Sequence, residues 1–311
     1  MRRIIPSLLL TVAIGLTLVV GCKEPAQPPR PPIPLSSLTN VYPYGYSLGP
    51  ATLADPKNFK LERFADLAGY PRNWAFNLLI TKGEQGFPAG MYVTGGPSFG
   101  TDKKKRRLFR IDKSGKVAVV EDRFEKGVET LVFARGAYGQ GMLLTEPQSM
   151  RINRLLADGS LSTFATLGTA PFGPTSLVYG PDNALFVTGF TSGNVLRLFP
   201  DGRSETFTTL PLPAKGKSDV TGMKGGNEPT VAFRGDMIFG TFSVRSRQAD
   251  PHGLDVLYSI SPADRAVRTL ATGLTGVEFM ATGPGGAFGS DVFVAVHGTD
   301  LNGDGGVYTL S

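Results

Sequence analysis

The stretch that decides the fold is residues 173–210, which read GPTSLVYGPDNALFVTGFTSGNVLRLFPDGRSETFTTL. Four short apolar runs (SLVY, ALFV, VLRL and ETFTTL) alternate in it with three turn signals (GPDN, TSGN and PDG). Short runs rich in β-branched and aromatic residues, separated by Gly, Pro, Asn and Asp, are typical of antiparallel strands joined by tight turns. The stretch therefore predicts a four-stranded meander.

The same order of runs recurs on both sides of this stretch, most clearly in the third strand of each unit. The third strands read LFRI, INRL, VLRL, LYSI and VYTL, and begin at Leu108, Ile152, Val195, Leu257 and Val307. The last unit has no fourth strand of its own, whereas LERFADLAGYP, from Leu61, resembles the fourth-strand segment from Ser162 and precedes any first strand. An N-terminal strand that completes the last sheet closes a ring of blades and removes its exposed edges.

The predicted fold is therefore all-β, a five-bladed β-propeller over residues 41–311 with four-stranded blades and N-terminal strand closure. Six blades are the alternative if residues 40–55 and 211–226 supply additional strands, and a β-sandwich is a second alternative. The composition fits a turn-rich globular chain, because 40 Gly and 24 Pro accompany 41% apolar residues.

One unit also carries a resemblance to known proteins. With its LVYGPDNALFVT, NVLRLFPDG and TFTTLPLP, the unit at Gly173 resembles the blades of the superfamily that includes NHL-repeat proteins, streptogramin lyases, and the gluconolactonase and senescence-marker lactonases. The resemblance covers about residues 58–311, closely in one blade and loosely in the others. It implies a propeller, usually of six blades in those families, and leaves activity open, because the superfamily contains hydrolases, lyases and binding scaffolds.

The first residues predict export and lipidation. Residues 1–21 combine two arginines with a short apolar run that ends at small residues, which is typical of a secretory signal peptide rather than a spanning helix. The tetrapeptide Val-Val-Gly-Cys at residues 19–22 resembles the bacterial lipobox, which implies acylation of Cys22, by palmitate among others, and cleavage before it. Cys22 is the single cysteine, so no internal disulfide is expected. An uncleaved signal anchor is the alternative.

The residues that follow the anchor predict a spacer in the cell envelope. Residues 22–40 are rich in proline and favour an extended helix of about 3.1 Å per residue. Acyl chains contribute about 0.8 kcal/mol per buried CH₂, so the attachment is effectively permanent. Lys23, in place of aspartate, predicts the outer membrane of a two-membrane bacterium, on its periplasmic or surface side. The net charge of +6 is mild, and we expect a monomer that binds no nucleic acid.

The candidate binding site lies at one mouth of the predicted channel. In a propeller the links from strand two to strand three, and from strand four to the next blade, emerge on the same face. The long links of this chain, residues 95–105, 210–227, 243–254 and 297–305, all belong to that face, where binding residues are expected. Aligned first strands predict a polar column there: Asn77, Thr130, Ser176, Thr230 and Glu278.

Two residues of the polar column are candidate metal ligands. The lactonase resemblance implies a divalent metal on the axis, held by Glu, Asn and Asp side chains of first strands, and Glu278 with Asn77 would be its ligands here. The column has no aspartate, and period-two alternation turns Glu129 away from it. A water-filled polar channel without metal is the alternative.

Two features of the long links could carry chemistry. His252 and His297 are candidate general bases, and loop histidines without a catalytic role are the alternative. Asp300, Asn302 and Asp304 have the spacing that opens a calcium loop, although Asn and Asp before Gly also favour a hairpin turn.

A basic run predicts an anion site in another long link. At a hairpin tip its charges repel one another unless water or anions surround them, so they could hold phosphate-rich lipid head groups or acidic glycans. A solvated tip is the alternative. The run consists of Lys103, Lys104, Lys105, Arg106 and Arg107.

Two functions remain open at this point. The first is an envelope lipoprotein whose propeller binds a small molecule, a glycan or an envelope protein at its channel face without catalysis, and this function requires no cofactor. The second is a hydrolase of the lactonase kind, or a lyase, that uses calcium or another divalent metal with Glu278, Asn77 and one histidine. The sequence does not decide whether the protein is an enzyme.

Overall fold

A computed structural model of the chain describes residues 65, 73–97, 107–168, 173–180, 182–189, 192–211, 221–224, 232–233, 235–243, 255–274, 276–282, 291–296 and 306–310. Within these ranges the chain is almost entirely β-strand, and its helical pieces are two single 3₁₀ turns, Gly136–Tyr138 and Pro147–Ser149. None of the helical structure in these ranges is long and apolar enough to span a membrane.

The strands form five antiparallel sheets. Blade one contains β1 (Asn73–Thr81), β2 (Gly90–Pro97), β3 (Arg107–Ile111) and β4 (Val117–Glu121). Blade two contains β5 (Leu131–Phe133), β6 (Met142–Glu146), β7 (Arg151–Leu155) and β8 (Leu161–Thr166). Blade three contains β9 (Pro174–Tyr179), β10 (Leu185–Gly189), β11 (Asn194–Leu198) and β12 (Ser204–Thr209). Blade four contains β13 (Thr221–Lys224), β14 (Ala232–Phe233), β15 (Asp236–Ser243), β16 (Asp255–Ile260) and β17 (Val267–Leu274). Blade five contains β18 (Val277–Thr282), β19 (Val292–Val296) and β20 (Gly306–Leu310).

The predicted five-bladed β-propeller is confirmed. Strands that are neighbours in sequence pair with one another throughout blades one, two, three and five, as a meander requires. The five third strands predicted from sequence are β3, β7, β11, β16 and β20. Blade five has three strands among the described residues. The segment 61–71, predicted to complete it, lies outside the described residues apart from Ala65, and so does the segment 40–55.

Blade four has two short strands that pair with β15. β13 pairs with the second half of β15, and β14 pairs with its first two residues. Thr221–Lys224 thus supplies a strand from the insert 211–226. This strand extends blade four, and the insert does not start a sixth blade at this point.

Hydrophobic clusters lie between consecutive blades. The described residues form one such cluster at each of four junctions, from blades one and two to blades four and five. At the first junction Tyr92 and Leu108 pack against Leu131 and Leu144, each 1% exposed or less. Burial of a large apolar side chain stabilises by about 1.5–3 kcal/mol, so these contacts dominate the packing of one blade on the next.

Tyrosine hydroxyls cross the junction between blades two and three. The Tyr138 hydroxyl donates to the Leu198 carbonyl at 2.6 Å and accepts from the Leu185 N–H at 2.9 Å. The Tyr179 hydroxyl donates to the Phe133 carbonyl at 3.1 Å and accepts from the Arg135 N–H at 3.0 Å. Burial raises the pKa of Tyr179 to about 12, because the phenolate would lose its hydration. Each blade is therefore tied to the other by buried hydrogen bonds.

Candidate functional site

A β-bulge recurs in the inner strand of four blades. In each, two residues of the first strand stand opposite one residue of the second. In blade two the Glu129 N–H donates to the Thr145 carbonyl at 3.0 Å, and the Thr145 N–H donates to the Thr130 carbonyl at 2.9 Å. The residue pairs and their partners are Phe76 and Asn77 opposite Thr94, Glu129 and Thr130 opposite Thr145, Thr175 and Ser176 opposite Thr188, and Glu278 and Phe279 opposite Ala295. Bulges redirect side chains and are frequent beside functional sites.

This register corrects the predicted polar column at one member. Asn77, Thr130 and Ser176 occupy the second bulge position and are buried, at 5%, 6% and 4% exposure. Glu278 does not share that position, because Phe279 occupies it and Glu278 stands one residue earlier. Thr230 lies outside the described residues.

Glu129 is the first residue of the blade-two bulge and lies one position before Thr130, as in the sequence alignment. It occupies the same bulge position as Glu278 and is 4% exposed. Period-two alternation fails at a bulge, because one extra residue changes the phase of every side chain before it. The signal in the sequence is two consecutive polar residues before an aliphatic run, as in ETLVF and TSLVY.

Threonine hydroxyls join the bulges of successive blades. The Thr94 hydroxyl donates to the Glu129 carbonyl, and the Thr130 hydroxyl donates to the Thr175 carbonyl. The Thr130 N–H donates to the Thr145 hydroxyl at 2.9 Å. Polar groups at the bulges of blades one to three are therefore joined by hydrogen bonds, and these bonds fix the three blades relative to one another.

Buried carboxylates hold the chain that links one blade to the next. One Glu146 oxygen accepts the Lys126 N–H, and the other accepts from Asn153 Nδ2 at 2.8 Å. Asp255 accepts from the Thr241 hydroxyl at 3.0 Å and from the Gly276 N–H at 2.7 Å. Lys126 belongs to the link between blades one and two, and Gly276 to the link between blades four and five. Both links lie on the face of the predicted site.

A third carboxylate acts in the same way at the end of β4. Glu121 accepts from the N–H groups of Asp122 and Arg123, at 2.9 and 2.7 Å, and pairs with the Arg123 guanidinium. Burial by itself would raise the pKa of Glu121, but the hydrogen bonds from Arg123 and Asp122 outweigh burial and lower it. Glu121 is therefore a structural anion that starts the link to blade two.

Several predicted site residues lie outside the described residues. They are Cys22, Lys103, Lys104, Lys105, Arg106, His252, His297, Asp300, Asn302 and Asp304. Arg107 is described. It is the first residue of β3, pairs with Gly95 and is half-buried, so it belongs to the sheet and not to the tip of a hairpin. The part of the chain that the structure describes contains no group of three His, Cys, Asp or Glu side chains placed to hold a metal ion.

The connection from strand two to strand three differs in length from blade to blade. The links from strand two to strand three span residues 98–106 in blade one, 244–254 in blade four and 297–305 in blade five. The corresponding links of blades two and three are residues 147–150 and 190–193. This connection is therefore longer in blades four, five and one than in blades two and three.

A groove of about 630 Å³ lies elsewhere, between the outer strand β8 and the β11–β12 turn of blade three. Phe164, Phe199 and Arg203 line it. The groove is at the periphery of the ring, away from the bulges, and no feature of the sequence had predicted it.

Comparison with known proteins supports the fold. No family model matches the sequence, and no curated protein matches it. Among solved structures, a gluconolactonase candidate matches at a TM-score of 0.51 and 12% identity, over 80% of this chain and 81% of that one. Virginiamycin B lyase from Staphylococcus aureus matches at a TM-score of 0.45 and 14% identity, over 76% of this chain and 84% of that one. A periplasmic gluconolactonase from Pseudomonas aeruginosa matches at a TM-score of 0.43 and 18% identity, over 71% of this chain and 66% of that one. Of these three structures, the first alone has a TM-score above 0.5, and at 12% identity it supports the fold and leaves the activity undefined.

Proposed function

We propose that this protein is a lipid-anchored envelope propeller that binds a ligand or partner at its channel face without catalysis. The observation that carries the proposal is the use of the buried carboxylates on that face. Glu121, Glu146 and Asp255 accept hydrogen bonds from backbone N–H groups, so they fix the connections from blade one to blade two and from blade four to blade five. A rigid scaffold that presents irregular links from neighbouring blades is a common design for binding.

Attachment to the membrane is the second part of the proposal. Cys22 within its lipobox-like tetrapeptide supports acylation, and the proline-rich residues 22–40 support a spacer between the lipid and the ring. The proposed location is the outer membrane. Incorporation of labelled palmitate by the full chain, lost on Cys22→Ser, is the expected result, and equal labelling of both proteins would contradict the anchor.

The experiment on catalysis uses the full chain with Cys22→Ser, purified without lipid. We expect elemental analysis to find no metal in stoichiometric amount. We also expect no hydrolysis of an aldonolactone that a chelator abolishes. Bound metal together with hydrolysis that the chelator abolishes would overturn the binding function.

A metal-dependent hydrolase or lyase is the second candidate, and one observation favours it. Glu129 and Glu278 occupy equivalent bulge positions in blades two and five, which are separated around the ring only by blade one. Two carboxylates with Asn77 of blade one are oxygen ligands of the kind that hard divalent cations prefer. If metal is found, Glu278→Gln and Glu129→Gln should each lower its occupancy, whereas Glu121→Gln should not.

A further inference from the structure

The outer strand of blade one carries apolar side chains where the other outer strands carry polar ones. Ala118 and Val119 of β4 are exposed, Val119 by 38%. The strand register makes them equivalent to one exposed pair in each of β8, β12 and β17. These pairs are Ser162 and Thr163, Glu205 and Thr206, and Arg268 and Thr269. Polar and charged side chains protect an open sheet edge from pairing with another chain, and β4 lacks this protection.

The next blade also closes on the outer edges of β8 and β12. Gly202, in the turn between the third and fourth strands of blade three, lies so close to β8 that an added Cβ would be 2.3 Å from the Phe164 carbonyl oxygen. Arg265, at the same point of the blade-four turn, donates to the Phe207 carbonyl of β12 at 3.4 Å. The corresponding residue of blade two is Gly159, which has open space around it. Among the described residues, no such contact on β4 is therefore made at Gly159.

The backbone of β4 presents hydrogen-bonding groups at this edge. The Asp112 N–H donates to the Lys116 carbonyl at 3.1 Å, which makes these two residues a bonded pair of the β3–β4 hairpin. Bonded and non-bonded pairs alternate along an antiparallel ladder, so the N–H and C=O groups of Val117 and Val119 point away from β3. An extended strand laid along this edge can therefore form hydrogen bonds with both residues.

Charges of opposite sign flank the edge at equal distances from Val119. Lys116 stands three residues before Val119 and Asp122 three residues after it, and both are exposed. When two identical strands pair antiparallel about a two-fold axis at Val119, each Lys116 comes near the partner's Asp122. A second copy of the chain therefore supplies both the complementary charges and a second apolar edge.

We propose that two copies of this chain associate through the outer edges of β4, antiparallel and with the two-fold axis at Val119. The two Val119 residues face each other and exchange two backbone hydrogen bonds, and their side chains leave water. Two four-stranded blades thereby become one eight-stranded sheet at the periphery of the dimer. This interface replaces the monomer that the sequence led us to expect.

Analytical ultracentrifugation of the full chain with Cys22→Ser measures the association. We expect a reversible monomer–dimer equilibrium in this parent protein and a monomer for Val119→Lys, because two lysines at the axis repel each other and oppose strand pairing. Thr163→Lys, at the equivalent exposed position of β8, is the control and should dimerise as the parent does. A parent that sediments as a monomer at every concentration, or equal dissociation constants for the two variants, would overturn the proposal.

Single cysteines test the register, because Cys22 is the only cysteine and its replacement leaves the chain without a thiol. Residues that face each other as a bonded pair have Cα atoms about 5.5 Å apart, within the range that a disulfide spans. Under oxidation by copper–phenanthroline in air, we expect Val119→Cys to form a disulfide-linked dimer faster than Ala118→Cys, which is offset from its own copy by two residues. Thr163→Cys should stay monomeric. Faster linkage of either of these two variants would contradict an axis at Val119.

An exchange of charges tests whether a second copy supplies them. Lys116→Glu brings like charges together at both ends of the interface, so it should raise the dissociation constant about ten-fold, and adding Asp122→Lys should restore it. Lys113→Glu, exposed in the same turn, changes the net charge equally and should have a smaller effect. Equal effects of Lys113→Glu and Lys116→Glu, or no recovery in the double variant, would contradict the pairing of Lys116 with the partner's Asp122.

Discussion

Blades two and three and blades four and five meet through similar hydrophobic clusters, but they differ on the channel face. Blades two and three turn from strand two to strand three over residues 147–150 and 190–193, whereas blades four and five use residues 244–254 and 297–305. Two tyrosines tie blade two to blade three through four hydrogen bonds. The difference teaches that the hydrophobic packing common to these junctions places no limit on the length of the connection between strands two and three.

The largest effect is expected where backbone comes close to backbone in blade two. Gly141 has φ +97°, and a Cβ on it would lie 2.5 Å from the Leu155 carbonyl oxygen. Gly141→Ala should therefore lower the free energy of unfolding by about 3 kcal/mol or more. Gly159, with φ +85° and open space around it, is the control, and Gly159→Ala should cost about 1 kcal/mol. Chemical denaturation measures both, and equal losses would contradict the close approach.

A smaller effect tests whether blades two and three are tied more strongly than blades three and four. Tyr179→Phe removes two hydrogen bonds and leaves the Arg135 N–H without its partner, so it should cost about 1–3 kcal/mol. Tyr258 donates one hydrogen bond, at 2.7 Å to the Pro211 carbonyl, and Tyr258→Phe should cost about 1 kcal/mol. If Tyr258→Phe loses as much stability as Tyr179→Phe, the tyrosines do not tie blades two and three more strongly than blades three and four.

Alkaline pH should weaken the same junction. The pKa of Tyr179 is raised to about 12 in the folded protein from the model-compound value of 10.0, so the folded state retains a proton that the unfolded state releases. Its contribution is complete below about pH 10 and is lost as pH rises towards about 12. Denaturation midpoints at pH 9 and pH 11 should fall further in the parent protein than in Tyr179→Phe. Parallel losses in the two proteins would remove Tyr179 as the cause.

The smallest effect on stability is expected on the links of the channel face. Because Arg107 belongs to β3, the basic run is tested by replacing Lys103, Lys104, Lys105 and Arg106 alone with serine. We expect an unchanged Tm and weaker retention on an anionic matrix at low salt, since the substitution removes positive charge from a link. Replacement of Lys113 and Lys116, which are exposed at the opposite turn of blade one, is the control. Similar retention of the two variants would mean that the run is not an anion site.

The candidate site was predicted in part from sequence. Asn77, Thr130 and Ser176 were placed together correctly, because each precedes an aliphatic run whose strand pairing is unambiguous. Glu129 and Glu278 were assigned to different positions although the bulge makes them equivalent. A bulge depends on which residue of the second strand accepts each hydrogen bond, and a single strand read alone carries no such information.

The sequence by itself determined the repeat, because apolar runs of strand length between Gly, Pro, Asn and Asp permit little besides a meander, and five similar meanders favour a closed ring. Tertiary structure decided the register of the inner strands and the pairing of both β13 and β14 with β15. It also decided the use of Glu121, Glu146 and Asp255 as anchors for the links. The physical reason is that strand formation follows local propensity, whereas register and the satisfaction of a buried carboxylate depend on partners distant in the chain.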